Sequence, residues 1–256
     1  MENKWLLLRG LGREHAHWLD FPERLRVSSG ASEVVCVDLP GTGTEHTRAA
    51  PRTIAENSND VLRRIQQRDD AGRVRWWLLG ISLGGMVALD IASRAEVNLA
   101  GVVVVNTSSS LCKPHRRLRI SAGPRLLLAM ATTRVEKRER RVLALTSNRS
   151  AGERNSIAEV FANAFLKRPM DRRVVIHQLQ AASRFQVPQA LAVPLLVLSS
   201  RADRLVHHRC STRIAEYYNA PHFVHPRAGH DLVLDDSDWV CDQLAQWETA
   251  VRAHSK

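Results

Sequence analysis

At 256 residues the chain can build one sizeable core or two modest ones. Its 44% hydrophobic content is that of an ordinary globular protein, and no apolar run approaches the roughly 20 residues that span a bilayer. The net charge of +11 is confined to one stretch, Leu111 to Val175, where 16 Lys and Arg stand against 5 Asp and Glu; the rest is balanced. Such a segment suits an anionic substrate, an acidic partner, nucleic acid or an anionic membrane, or is a solvated Arg-rich helical face.

Taken in chain order, six segments read as buried strands: Trp5–Leu8, Glu33–Val37, Val74–Leu79, Gly101–Val105, Pro194–Ser199 and the weaker His222–Val224. Several are continuous apolar runs, as strands covered on both faces require. Helical patterns at Ile54–Gln67, Leu83–Ala95, Cys210–Tyr218 and Ser237–His254 separate or follow them. The alternation implies βαβ units, a mainly parallel sheet and helices on both faces. It breaks between Ser108 and Val193, where the pattern gives only helices: Pro124–Thr132, Arg134–Thr146, Ile157–Phe165 and Arg172–Ser183. The expected organisation is a core of residues 1–107 and 194–256 with a helical, basic insertion, 108–193, after the fourth strand.

Chemistry concentrates at the ends of the strand runs. Gly80-Ile81-Ser82-Leu83-Gly84 lies between a strand and a helix, a setting that exposes a nucleophilic serine on a tight turn. A serine hydroxyl needs a base, and His230 follows the last strand in Ala228-Gly229-His230-Asp231. The base needs a carboxylate to hold its tautomer. Asp203, after the fifth strand, fits the chain order serine, acid, histidine. Asp231 is a rival, while Asp235, Asp236 and Asp238 read as the cap and first turn of the last helix. Acyl transfer also needs an oxyanion hole. The backbone N–H of Leu83 supplies one donor and that of Leu11, in Arg9-Gly10-Leu11-Gly12, the other.

Five motifs in order resemble the α/β-hydrolase fold: Leu8-Arg9-Gly10-Leu11-Gly12, Asp38-Leu39-Pro40-Gly41-Thr42-Gly43, Gly80 to Gly85, Ser200-Arg201-Ala202-Asp203 and Gly229-His230. The resemblance covers nearly the whole chain and implies a lid where the helical block lies. Two departures stand out. Arg9 replaces the histidine common in the first loop; it either binds a carboxylate or phosphate of the substrate or points into solvent. The chain also starts near the strand carrying that loop, leaving about six strands.

The resulting expectation is a serine hydrolase of esterase or thioesterase type, working through an acyl-enzyme on a small acyl substrate that the basic lid would attract if anionic. The alternative is a carbon–carbon-cleaving or acyl-transferring relative acting on an anionic metabolite with the same triad. Nucleic acid is disfavoured by the lack of aromatic interleaving in the basic segment. The scattered His115, His177, His207, His208, His222 and His225 lack ligand spacing, so no metal is expected, and no phosphate loop or dinucleotide fingerprint suggests a cofactor. Cys36, Cys112, Cys210 and Cys241 are widely spaced and read as reduced thiols. The apolar stretch Trp5–Leu8 is too short for the core of a signal peptide, so the expected location is cytoplasmic.

Overall fold

Because the strands carry apolar side chains at nearly every position, the sheet they build is covered on both faces. The computed structural model describes residues 2–68, 72–94 and 96–254. In chain order the elements are β1 (Glu2–Leu8), α1 (Phe21–Ser29), β2 (Glu33–Val37), α2 (Ile54–Gln66), β3 (Val74–Ile81), α3 (Leu83–Ala92) and β4 (Leu99–Val105). Five helices follow: α4 (Pro114–Arg117), α5 (Gly123–Ala131), α6 (Val135–Thr146), α7 (Ala151–Lys167) and α8 (Arg172–Arg184). The chain then returns to the sheet with β5 (Leu195–Ser200), α9 (Arg209–Tyr218), β6 (His222–His225), α10 (Leu232–Asp235) and α11 (Ser237–His254).

The six strands are all parallel, in the order β2-β1-β3-β4-β5-β6. Side chains alternate between two cores. Trp76 and Leu78 of β3 share one with Val61 and Leu62 of α2 and Val87 and Ile91 of α3. Trp77 and Leu79 share the other with Phe21 and Leu25 of α1 and Leu244 and Trp247 of α11. Trp77 stacks on Trp5 at 5.6 Å and meets Trp247 edge-on at 5.4 Å. From β1 the chain steps to β2 on one side and later crosses to β3 on the other. The connections after β1 and β3 therefore diverge and open a crevice at their carboxyl ends, where open α/β sheets bind ligands.

Several helices depart from the sequence expectation, among them the four-residue α4 and α10, which it did not include. Helix α1 has no strong periodic signal, because only Phe21 and Leu25 are buried. Helix α7 starts at Ala151, not Ile157: Ser150 and Glu153 form a reciprocal capping box that adds a turn and a half of polar helix. Helix α3 ends at Ala92; the expected end, Ala95, lies outside the described residues. Between β4 and β5 the described residues hold no strand. There Leu143, Ala158 and Phe161 form a small core of their own with Leu234.

Candidate active site

Ser82 is the single residue between β3 and α3, and its backbone takes φ 55 and ψ −114, a region L-residues rarely adopt. The turn holds because its neighbours have no side chains. A Cβ on Gly80 would enter the Gly84 carbonyl, and one on Gly84 would enter the carbonyls of Leu8 and Arg9. The Ser82 N–H is meanwhile tied to the Val105 carbonyl at 2.8 Å. The loop after β1 comes so close that a Cβ on Gly10 would lie 3.2 Å from the Ser82 Cβ. Strand topology thus brings together two loops some seventy positions apart in the sequence.

Two further loops, after β5 and β6, bring Asp203 and His230 together. His230 Nδ1 lies 2.7 Å from Asp203 Oδ2, both side chains buried. A ring that donates from Nδ1 keeps Nε2 as its acceptor. The other carboxylate oxygen, Oδ1, accepts the N–H groups of Leu205 and Val206 at 2.7 and 2.9 Å, which fixes the acid within its own turn. Burial alone pushes the His230 imidazole down, but the charge of Asp203 and its hydrogen bond outweigh that and hold it above the ordinary histidine value.

Two supporting residues gave no clear signal in the sequence. Asn106, at φ 47 just beyond β4, donates to the carbonyl of His230 at 2.8 Å and accepts the Ser200 N–H at 2.8 Å. It binds the ends of β4 and β5 to the histidine loop; its one sequence mark is an amide at the end of an apolar run. Asp235, expected in the cap or first turn of the last helix, does other work. It ends α10 and accepts the Gly229 N–H at 2.6 Å, the Ser147 hydroxyl at 2.6 Å and the Asn148 N–H at 2.8 Å. The cap of α11 is Asp236, which accepts the Trp239 N–H at 3.0 Å.

Ser82 and His230 line one cavity of about 620 Å³, with Gly10, Leu11 and Leu83 at its floor. The helical segment contributes a largely aliphatic part of its wall, including Leu118, Leu126, Val142 and Leu179, along with His115 and Arg117. Among the described residues no hydrogen bond joins the Ser82 hydroxyl to His230, and neither the Leu11 nor the Leu83 N–H has an acceptor within the chain. Hydrogen bonds of this kind tighten when substrate enters.

Arg9 does not point into solvent; it lines the cavity that Ser82 and His230 share. Its side chain is 4% exposed, its guanidinium forms a two-pronged ion pair with Asp231, and it lies over the Trp18 ring at 4.6 Å. The cation is already neutralised, so it is not a free clamp for a substrate anion. The rival acid Asp231 is likewise engaged by Arg9, not by His230. A group the sequence spacing did not suggest is Glu14, His15 and Asp38, whose potential ligand atoms lie within 4.8 Å of one another. These carboxylates already have partners: Arg168 holds Glu14 at 2.7 and 3.1 Å, and Asp38 accepts from His15 and Thr44.

The chain has recognisable relatives. The model of the alpha/beta hydrolase family matches residues 5–243. The chain is 29% identical, over 88% of its length and 84% of the relative's, to the protein named carbamate hydrolase RutD from Variovorax paradoxus. It is 28% identical to the pimeloyl-[acyl-carrier protein] methyl ester esterase of Vibrio parahaemolyticus, over 93% and 91% of the two chains. Among solved structures, the enol-lactonase from Burkholderia xenovorans superposes with a TM-score of 0.76 at 20% identity, over 97% and 92% of the chains. A thermophilic esterase from Thermogutta terrifontis gives 0.70 at 19%, over 98% and 91%.

Proposed function

The chain belongs to the alpha/beta hydrolase family and is an enzyme of the ester-hydrolase kind; from that premise we propose that it cleaves carboxylic esters or thioesters with Ser82 as nucleophile. The observation that carries the proposal is the 2.7 Å bond between His230 Nδ1 and Asp203, in the cavity that Ser82 enters on its strained turn. Ser82 Oγ attacks the acyl carbonyl as its proton passes to His230 Nε2, and Asp203 stabilises the imidazolium. The unpartnered N–H groups of Leu11 and Leu83 take the charge on the carbonyl oxygen. His230 then returns the proton to the leaving oxygen or sulfur. Water, deprotonated by the same ring, hydrolyses the acyl-enzyme and frees the acid.

In this reading residues 108–193 form a lid over a core of 1–107 and 194–256, and the lid's aliphatic wall receives the acyl chain. The basic character of the lid supports an anionic substrate, in keeping with a relative whose name includes an acyl-carrier ester. The carbon–carbon-cleaving alternative drew on Arg9 as a free clamp, and the Arg9–Asp231 pair removes that support. A cytoplasmic site of action belongs to the same proposal; all four cysteines are unbridged, which suits a reducing compartment. No helix of the described residues is long and apolar enough to cross a membrane.

The test is labelling with a fluorophosphonate probe and mass spectrometry of the tagged peptide. The expected result is a single adduct on Ser82 that disappears in Ser82→Ala and falls steeply in His230→Ala. Absence of the adduct from folded wild-type protein refutes the proposal.

A further inference from the structure

Helix α5 turns an apolar face to water. Pro124, Leu127, Leu128 and Ala131 recur at helical spacing, and all four are exposed. Leu127 and Leu128 are 68% and 53% exposed, and Ile120, just before the helix, 80%. The opposite side of the helix is apolar too: Ala129 is buried and Leu126 lines the main cavity. A helix apolar on two opposite sides normally packs on both of them.

The sequence on either side of this helix is cationic without relief. From Lys113 to Val135 there are six basic residues, Lys113, Arg116, Arg117, Arg119, Arg125 and Arg134, and no Asp or Glu. Among the described residues none of the six pairs with a carboxylate, whereas Arg138, Arg140 and Arg149 a little further on all do.

We propose that this face docks on the surface of an anionic lipid bilayer. Ile120, Leu127 and Leu128 enter the boundary of the acyl layer, and the exposed cations Lys113, Arg125 and Arg134 sit among the headgroups; Arg117 instead lines the cavity and donates to the Ala182 and Ser183 carbonyls. The two features supply the two signals that stable peripheral attachment needs, buried aliphatic area and attraction to anionic lipid. Each basic residue near such a surface raises partitioning about fivefold. A protein partner fits less well. Interfaces between proteins are anchored by aromatic residues, and the stretch from Lys113 to Val135 contains none; an acidic protein held by charge alone would leave the aliphatic stripe without a role. Docking presses the outer side of α5 against the lipid while its inner side walls the cavity, so the acyl pocket lies one helix from the layer that holds amphiphilic esters. That last consequence rests on the esterase reading; the docking does not.

Co-sedimentation with phosphatidylglycerol–phosphatidylcholine vesicles, against phosphatidylcholine alone, tests the proposal. Wild type is expected to sediment only with the anionic vesicles. Lys113→Glu with Arg125→Glu should weaken binding at least about 25-fold. The equally charge-reversed control Arg63→Glu with Arg213→Glu, on exposed α2 and α9 positions, should change it by no more than about threefold. Leu127→Glu with Leu128→Glu, both exposed and checked for folding by circular dichroism, should lose binding as well. No sedimentation of wild type, equal loss in both charge-reversed pairs, or full binding by the leucine variant would overturn it, and so would capture of an acidic carrier protein or self-association through this face without vesicle binding. Fluorophosphonate labelling of the leucine variant without vesicles reads the serine chemistry separately.

Discussion

His230 sits between opposing influences: burial favours its neutral form and Asp203 favours the charged one, with Asp203 prevailing. A base works only when neutral, so kcat/KM on an uncharged ester should fall as the pH drops through a value above the ordinary histidine figure of about 6.5. The linked stability has the matching sign. The charged pair contributes fully below about pH 6.5, and that contribution fades as the pH rises through the raised value. Asp203→Asn should cost on the order of 10⁴ in kcat and shift the acidic limb downward, because the charge that raised the imidazole is gone; an unmoved limb would assign it to another group. Arg9 and Asp231 invite a different measurement. Arg9→Leu alone strands a buried carboxylate and should cost about 3–5 kcal/mol in urea unfolding, while adding Asp231→Leu should restore much of it; equal losses in both would show that packing on Trp18, not the charge pair, matters. Ser82, Asp203 and His230 were legible because each lies in the stretch that follows a strand and the chemistry restricts residue type. The partner of Arg9 was not, since the pair spans 222 positions and a charge on its own shows nothing of its partner. Asn106 was missed because an amide that orders three loops has no local pattern.

At the scale of elements, the strands were readable because both faces are buried, which forces apolar residues at successive positions. The helices were readable where periodicity is strong, as in α2, or where a small apolar run follows a strand, as in α3. Helix α1 buries two apolar side chains and escaped notice, and the first turns of α7 are polar and depend on a side-chain cap. The junction of β3 and α3 is the least forgiving part of the architecture. Gly84→Ala would force a methyl group into the carbonyls at the end of β1. It should destabilise by about 1–3 kcal/mol or more and slow the reaction beyond what the loss of folded protein explains, because the loop after β1 carries the Leu11 N–H. Thermal unfolding combined with fluorophosphonate labelling rates separates the two effects; unchanged labelling would show that the turn adapts.

For the molecule as a whole, charge placement outweighs net charge. If the basic lid attracts anionic esters, KM for a dicarboxylic half-ester should rise with ionic strength while KM for a neutral ester of equal length stays level; parallel curves would rule out electrostatic attraction at the lid. The sheet order has a separate consequence for how the protein is made. Ser82 follows the third strand in sequence, but His230 follows the sixth, at the sheet's edge. During translation, at about 5–20 residues per second, an interval on the order of 10 s separates the synthesis of the two. Throughout that interval the emerging polypeptide carries Ser82 without His230, so on the proposed mechanism a chain cut short within it lacks the pair that cleaves esters.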